Sequence, residues 1–163
     1  MTIGLTGGCQ CGAVRYRLNE APTNPHICHC RMCQKAFGSY FAPLAGVKLT
    51  SFQVTRGTLT KFRSSENCDR GFCPNCGTPL SFQYVDNPWI SIALGSLDNP
   101  EAVMPVDQHG VEGRVSFFHH LSVLPDRPTT EEENAEGAAR IRASNHQHPD
   151  HDTTGWRAKR AHH

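Results

Sequence analysis

The sequence predicts a mostly β domain that is reinforced by metal-binding cysteines. Three observations support this prediction: short apolar alternations up to about Pro128, frequent breaks at Gly, Pro, Asn and Asp, and eight Cys in 163 residues. Apolar residues make up 37% of the chain, below the roughly 45–50% of a typical globular domain, a tally that also counts Gly. The hydrophobic core is therefore expected to be small, and the length of the chain suits one domain with a single core.

The first elements follow from local patterns. Residues 14–18 alternate apolar side chains with arginines, which predicts a half-buried strand. Residues 31–37 are good helix formers and precede Gly38, which predicts a short helical turn. Residues 52–62 carry apolar side chains on both sides of Arg56-Gly57-Thr58, which predicts a β-hairpin.

Further strands are predicted in the second half of this region. Residues 80–84 alternate again before a turn at Asp86-Asn87-Pro88. Residues 89–94 form the strongest predicted strand, and a last extended stretch is expected through residues 115–124.

The composition changes after Pro128, which divides the chain into a domain over residues 1–128 and a tail over residues 129–163. The acidic run that begins at Thr130 predicts a helix through about Ala143. From Asn145 onward the chain is polar and rich in histidine, so we expect a disordered, solvated end.

Charge and hydropathy exclude several classes of partner. Sixteen Lys and Arg against fifteen Asp and Glu give a net charge of +1, which disfavours a nucleic-acid partner. No apolar run approaches the ~20 residues that cross a bilayer, and the first residues, MTIGLTGGCQ, lack the pattern of a signal peptide. We therefore expect a cytoplasmic protein without a membrane partner, whose cysteines stay reduced and bind metal.

Seven of the eight cysteines fall into three groups: Cys9-Gln10-Cys11, Cys28-His29-Cys30-Arg31-Met32-Cys33, and Cys73-Pro74-Asn75-Cys76-Gly77. In an extended segment, Cys9 and Cys11 present both sulfur atoms on one face. The turn with Cys73 and Cys76 has the form of a zinc knuckle, which supplies two of four ligands. These four cysteines predict a closed, structural zinc site. The alternative is a pair of buried free thiols beside an unrelated turn.

The middle group has three thiols and no obvious fourth ligand. Three protein ligands leave one position for water or substrate, which is the pattern of a catalytic zinc. Cys28, Cys30 and Cys33 are therefore the predicted ligands of a second, catalytic zinc. The alternative is a second structural zinc whose shell is closed by Cys68 or by a histidine.

Three neighbouring residues are assigned lesser roles. Cys68 follows no pattern of its own and is expected to be a bystander. His29 lies between two ligands, so in an extended segment it faces away from the metal. His26 is close enough in sequence to serve as a fourth ligand, although a surface or hydrogen-bonded position is favoured.

Three motifs in this order resemble the glutathione-dependent formaldehyde-activating enzyme family, also described as S-(hydroxymethyl)glutathione synthase-like or centromere protein V-like. The matching segments are Gly7-Gly8-Cys9-Gln10-Cys11-Gly12-Ala13-Val14-Arg15-Tyr16, Cys28-His29-Cys30-Arg31-Met32-Cys33-Gln34-Lys35 and Arg70-Gly71-Phe72-Cys73-Pro74-Asn75-Cys76-Gly77. The similarity extends from about Leu5 to Pro128 and excludes the tail.

The resemblance implies a β-tent or Mss4-like fold with two zinc ions. It implies the same division of ligands as the spacing, with the structural zinc on Cys9, Cys11, Cys73 and Cys76 and the catalytic zinc on Cys28, Cys30 and Cys33. It also implies a carbon–sulfur lyase activity that joins formaldehyde to the thiol of glutathione. One departure concerns the substrate: many members carry a His, an aromatic residue and then a Trp near the end of the domain. Here His109-Gly110-Val111 and Ser116-Phe117 stand in those places.

Two functions from different classes follow from these patterns. The first is an enzyme that acts on adducts between a small electrophile and glutathione or another thiol, with an exchangeable ligand on the second zinc. The second is a non-catalytic zinc-binding module that docks a protein. Redox sensing by the thiolates is a third, weaker hypothesis.

Overall fold

The computed structural model describes residues 4–158, and within this range ten strands and two α-helices are present. The predicted mostly β architecture is confirmed. The strands are β1 (Leu5–Gly8), β2 (Arg15–Leu18), β3 (Thr23–Cys28), β4 (Ala42–Lys48), β5 (Phe52–Arg56), β6 (Thr60–Ser65), β7 (Cys68–Phe72), β8 (Pro79–Tyr84), β9 (Trp89–Ala93) and β10 (Asp107–His109). The helices are α1 (Arg31–Phe37) and α2 (Thr130–Ser144).

The strands of residues 4–158 form a small sheet and a large one. The small sheet has the order β1-β2-β5, and the large sheet has the order β10-β3-β4-β9-β8-β7-β6. Neighbouring strands are antiparallel except β10 and β3, which are parallel. The chain therefore crosses between the sheets several times, and residues distant in sequence meet.

The hydrophobic core joins the two sheets. Tyr16 and Leu18 of β2 are buried in the same cluster as Val47 of β4 and Ile92 of β9. The Tyr16 hydroxyl lies 2.7 Å from Ser96 Oγ, which satisfies its polar end inside the core. Because successive side chains in a strand alternate, the large sheet turns its other face away from this core. That second face carries the cavity described below.

Several predicted elements are confirmed. Residues 14–18 contain β2, and residues 80–84 and 89–94 contain β8 and β9. The predicted helical turn is α1, which ends at Gly38 with a left-handed φ of 59° that suits glycine. The predicted tail helix is α2, whose capping box joins Thr129 and Glu132.

Two predicted elements are wrong. Residues 52–62 do not form a hairpin, because β5 pairs with β2 whereas β6 pairs with β7 in the other sheet. Gly57, with φ of 68°, lies against the Ala13 carbonyl and turns the chain from one sheet to the other. The stretch over residues 115–124 is not extended, because Phe118–Val123 form a 3-10 helix.

Candidate metal centres

We call Cys9, Cys11, Cys73 and Cys76 the four-cysteine cluster. Two of them lie in the turn between β1 and β2, where Gly12 N donates to Cys9 O at 3.0 Å. The other two lie in the turn between β7 and β8, where Gly77 N donates to Cys73 O at 2.9 Å. Gly12 and Gly77 have φ of 72° and 75°, a left-handed backbone that glycine adopts without strain. The two turns thus direct four sulfur atoms toward one point.

The spacing of these sulfur atoms tests whether a metal ion fits. All four lie within 4.8 Å of one another. Cys11 Sγ lies 3.6 Å from Cys9 Sγ and 3.8 Å from Cys73 Sγ. A tetrahedral site with zinc–sulfur bonds of about 2.3 Å has sulfur–sulfur edges of about 3.8 Å. The donor set therefore suits a tetrahedral ion of the size of zinc.

The surroundings of the cluster affect the acidity of its thiols. Burial raises the pKa of Cys73 to about 11. Burial acts in the same direction on Cys76, but hydrogen bonds from the side chain and backbone of Thr78 lower the pKa of Cys76 to about 6. Backbone amides also point at sulfur, as Val14 N donates to Cys9 Sγ at 3.2 Å. Thiolates are the metal-binding form of cysteine.

The four-cysteine cluster is built into the hydrophobic core. Three of its members are buried with Tyr16 and Leu80, and only Cys76 is exposed. The cluster also connects a turn of the small sheet with a turn of the large sheet.

We call Cys28, Cys30 and Cys33 the three-cysteine cluster. Cys28 ends β3, Cys30 caps α1 and Cys33 lies in the first turn of that helix, where its N–H donates to Cys30 Sγ at 3.4 Å. The three sulfur atoms lie within 4.8 Å of one another, with Cys33 buried and the other two half-buried. The local chain geometry thus brings together the three ligands that the sequence predicts for the second metal.

The thiols of this cluster differ in acidity. Burial raises the pKa of Cys28 to about 12. Burial also opposes ionisation of Cys30, but the N–H of Cys33, the thiols of Cys28 and Cys33 and the charge of Arg70 together outweigh it and lower the pKa of Cys30. Burial raises the pKa of Cys33, while Arg70 acts in the opposite direction because its Nη2 donates to Cys33 Sγ at 3.5 Å.

The three-cysteine cluster opens onto a cavity of about 480 Å³, within the range of roughly 300–1,000 Å³ that is common for small-molecule sites. The floor of the cavity is the second face of the large sheet. Strand register places the lining side chains on that face: His109 of β10, His26 and Cys28 of β3, Leu44 of β4, Ser91 of β9, Phe82 and Tyr84 of β8, and Arg70 and Cys68 of β7.

The structure also locates the neighbouring residues. His29 is buried and points away from the three sulfur atoms, with its Nε2 2.9 Å from Gln108 Oε1, as predicted. Cys68 belongs to neither cluster, but it lines the cavity. His26 hydrogen-bonds to the Asn24 carbonyl at 2.8 Å, and its ring stacks on that of His109 at 4.1 Å. It thus has the hydrogen-bonded role favoured by the sequence.

Sequence reasoning missed the contribution of Arg70 and Asp107 to this region. Asp107 lies 3.2 Å from His109 Nε2 and completes a group with His26 in which all three donor atoms are within 4.8 Å. Arg70 was noted only as part of a motif. Its spacing of two residues from Cys68 on one strand was the available signal that both face the same side.

The sequence model of the family described as "Glutathione-dependent formaldehyde-activating enzyme" matches residues 4–111. This match covers about two thirds of the chain and contains every member of both clusters. The chain belongs to the glutathione-dependent formaldehyde-activating enzyme family. The resemblance found in the motifs is thereby confirmed.

Two further similarities agree with membership in this family. The chain is 31% identical over 85 residues to an uncharacterized lyase of Schizosaccharomyces pombe, a match that spans 51% of this chain and 61% of that protein. It is also similar to a crystal structure of a Rhodobacter sphaeroides protein from structural genomics. The TM-score is 0.51 and the identity 27%, over 63% of this chain and 98% of the other.

Residues after α2 lie outside the family match and return to the four-cysteine cluster. Trp156 Nε1 donates to Cys11 O at 2.9 Å, and His148 N donates to Gln10 O at 2.7 Å. His148 is buried, so the expectation of a solvated tail is wrong for it. His162 and His163 of the tail lie outside the described residues.

Electrostatic contacts fix the same segment to the small sheet. Asp152 accepts from Arg15 Nη2 at 2.8 Å, and Arg15 also binds Asp98 at 2.6 Å, which explains why an arginine is buried in β2. Arg56 donates to Thr153. A polar cleft of about 170 Å³ lies between the tail and this sheet, on the opposite side of the large sheet from the three-cysteine cluster's face.

Neither α1 nor α2, the α-helices of residues 4–158, combines the length and the apolar character that a bilayer-spanning helix requires.

Proposed function

We propose that this chain is a zinc-dependent, carbon–sulfur lyase-like enzyme that joins formaldehyde, or a related small electrophile, to the thiol of glutathione. The observation that carries the proposal is the contrast between the two clusters. The four-cysteine cluster has a complete ligand set inside the core, whereas the three-cysteine cluster has three ligands beside a cavity of about 480 Å³. Family membership and the lyase-named relative support a formaldehyde-activating or lyase-like role.

Zinc is the metal that the donor sets favour, because sulfur-only, tetrahedral ligation is typical of zinc and of iron–sulfur centres. We assign the structural zinc to Cys9, Cys11, Cys73 and Cys76, and the catalytic zinc to Cys28, Cys30 and Cys33. When bound to the three-cysteine cluster, zinc supplies Lewis acidity and an open coordination position that suits a thiolate.

The residues around the cavity are suited to a thiol adduct. Leu44 and Phe82 provide an apolar floor for a carbon skeleton, and Met32 borders the same space from α1. His26 and His109 border it from the other side, where their exposed edges offer hydrogen bonds. The sulfur of the substrate would therefore lie at the cluster and its polar groups toward the opening.

The proposal includes the organisation and location of the chain. Residues 1–128 form the zinc domain, and residues 129–163 form an appendage whose contacts with Cys11 and Gln10 support the structural metal site. A reducing compartment such as the cytoplasm suits eight cysteines that are all free thiols in the structure.

The test follows the addition of glutathione to 13C-labelled formaldehyde by NMR, with and without the zinc-loaded chain. We expect the chain to accelerate formation of the adduct above the spontaneous rate, and Cys30→Ser to abolish the acceleration. Cys68→Ser is the matched control, since Cys68 lines the same cavity outside both clusters. A zinc-loaded chain without any acceleration would overturn the proposal and leave the non-catalytic docking module.

A further inference from the structure

Arg70 is a charged side chain that is buried beside the cavity without a carboxylate partner. Its side chain lies on β7 and only 8% of the residue is exposed. The residues lining the cavity in the described part of the chain include no Asp or Glu. A buried charge is costly unless something pairs with it.

Most of the guanidinium is held in a defined position. Arg70 Nε donates to Ser64 Oγ at 3.1 Å, and Nη2 donates to Cys33 Sγ at 3.5 Å. The guanidinium carbon lies 5.1 Å from the centre of the Phe82 ring, within the distance of a cation–π contact. These contacts fix the orientation of the group before any ligand binds.

The remaining nitrogen has no acceptor. Nη1 is buried, and no atom of residues 4–158 accepts its hydrogen bonds. A buried N–H group without a partner is uncommon and costs free energy. Because Nη1 and Nη2 share one carbon atom, an acceptor on Nη1 lies close to the sulfur of Cys33. A ligand atom that accepts from Nη1 would therefore lie beside the three-cysteine cluster.

We propose that Arg70 Nη1 binds the substrate oxygen that becomes negative when a thiolate adds to an aldehyde; the inference rests on the proposed function of the same site. The thiolate electron pair forms the carbon–sulfur bond, and the π pair of the carbonyl moves to its oxygen. That oxygen then takes a proton from solvent, which replaces the proton that the thiol released. The reverse sequence cleaves the adduct, so no oxidant or reductant is needed.

The position of Arg70 favours this oxygen over a distant carboxylate of the substrate. In the adduct, the oxygen is separated from sulfur by a single carbon, whereas the carboxylates of glutathione are several bonds away. A donor that contacts a cysteine of the cluster is close to the first kind of oxygen. Preorganised donors of this kind stabilise developing negative charge most strongly where water is excluded.

The first experiment measures binding and needs no turnover. Cobalt replaces zinc, and the absorption spectrum reports when mercaptoacetate or its neutral methyl ester enters the metal's coordination shell. Mercaptoacetate carries a negative oxygen close to its sulfur. The measured quantity is the ratio of the affinities for mercaptoacetate and for the ester, in the wild type and in Arg70→Gln. Both proteins bind the same two thiols, so the difference in thiol acidity cancels when the two ratios are compared. We expect the preference to fall about tenfold or more in the variant.

The second experiment measures addition of glutathione to formaldehyde. Arg70→Gln is expected to lower the rate about 10²–10³-fold, the usual effect of losing one donor to a developing oxyanion. Affinity for the neutral ester is expected to change less than about threefold. Arg63→Gln on the neighbouring strand β6 is the matched control, because Arg63 is exposed and pairs with Asp69.

Each outcome decides between the two claims. An unchanged mercaptoacetate preference and an unchanged rate in Arg70→Gln would overturn the role of Arg70 and leave the proposed function intact. If the mercaptoacetate preference depends on Arg70 but the wild-type chain has no lyase activity, Arg70 forms an anion site and the proposed function is refuted. If Arg70→Gln fails to fold or to load metal, Arg70→Lys retains the charge but lacks the planar pair of nitrogen donors that holds Cys33 and an oxygen in one fixed geometry. Full activity in that variant would also refute the inference.

Discussion

The two clusters are expected to respond differently to the same chemical change, cysteine to serine. Cys76→Ser removes one ligand from the four-cysteine cluster, and Cys30→Ser removes one from the three-cysteine cluster. Cys76 is exposed and Cys30 is half-buried, so neither serine creates a large cavity in the core. The difference between the variants therefore reports the role of each metal.

The magnitude follows from the loops that the metals close. In the four-cysteine cluster, Cys11 and Cys73 are 62 positions apart. Closing such a loop costs the chain conformational entropy that amounts to a free energy of about 4 kcal/mol. The three-cysteine cluster spans a short local segment, so the same term is only about 1–2 kcal/mol. We expect Cys76→Ser to lose about 4 kcal/mol of unfolding free energy, a fall in Tm of about 10 °C.

The assay combines metal content per chain with urea unfolding at fixed free zinc. Cys30→Ser should lose one zinc and about 1–2 kcal/mol of stability while the fold remains. Cys68→Ser is the control for the substitution itself, because Cys68 is buried near Ser65 but belongs to neither cluster. Equal destabilisation by Cys30→Ser and Cys76→Ser would refute the division into structural and catalytic sites.

Three further predictions concern the tail. Trp156→Ala should lower stability by about 1–2 kcal/mol, since it removes an aromatic contact and the hydrogen bond to Cys11 O, and circular dichroism melting will measure the change; an unchanged Tm would show that the tail does not support the cluster. Gly12→Ala should have a similar or larger effect, because a Cβ there would overlap His148 and Trp156 and the φ of 72° disfavours alanine; wild-type stability would contradict the close packing. Burial acts to raise the pKa of Asp98 and Asp152, but Arg15, together with Thr6 at Asp98 and Arg17 at Asp152, lowers both pKa values through hydrogen bonds and charge. The stabilisation from these carboxylates is therefore present above the ordinary carboxyl pKa and is lost as the pH falls through the folded-state values. Asp98→Asn should reduce the loss of unfolding free energy that urea titrations measure between pH 5 and 2, a range around the ordinary carboxyl pKa of about 3.9. A pH profile identical to that of the wild type would exclude the Arg15–Asp98 pair as the source of the loss.

The tail also affects how the metal content should be measured. The segment after α2 covers the four-cysteine cluster through Trp156 and His148. Removing it would expose the Cys11 backbone and leave Arg15 without one of its two carboxylate partners. Experiments on the metals therefore use the full chain.

The metal clusters were predictable from the sequence because ligand spacing is a local property. A pair such as Cys9 and Cys11, or Cys73 and Cys76, directs two sulfur atoms to one side whatever surrounds it. The helical turn that holds Cys33 was equally predictable, since helix formers precede Gly38. That these two cysteine pairs form one cluster followed from the need of a structural zinc for four ligands.

Strand partners were less predictable than strands. Residues 52–62 contain two strands as expected, but nothing in their alternation reveals that β5 and β6 belong to different sheets. Apolar alternation identifies a half-buried strand, whereas partner choice depends on contacts distant in sequence. The 3-10 helix Phe118–Val123 was also not predictable, because its apolar residues match neither a strand nor a helix period closely.

The chemistry of the cavity and the return of the tail depend on tertiary structure. Arg70 acquires its role only because β7 lies four strands from β3 in the same sheet, across which α1 brings Cys33 within reach. Asp152 is an ordinary tail residue until it meets Arg15. Sequence reasoning placed Asp152 in a solvated tail and noted Arg70 only within a motif, because local spacing reveals neither which strands pair nor where the tail returns.

X-ray absorption at the zinc edge, with and without glutathione, tests the central claim most directly. One four-cysteine site and one three-cysteine site predict an average of about 3.5 sulfur ligands per zinc. An oxygen or nitrogen atom would be the fourth ligand of the zinc at the three-cysteine cluster. Glutathione should raise the average to about four as its thiol enters the open position. Two zinc ions with four sulfur ligands each before glutathione is added, or a spectrum that glutathione leaves unchanged, would contradict an open catalytic site.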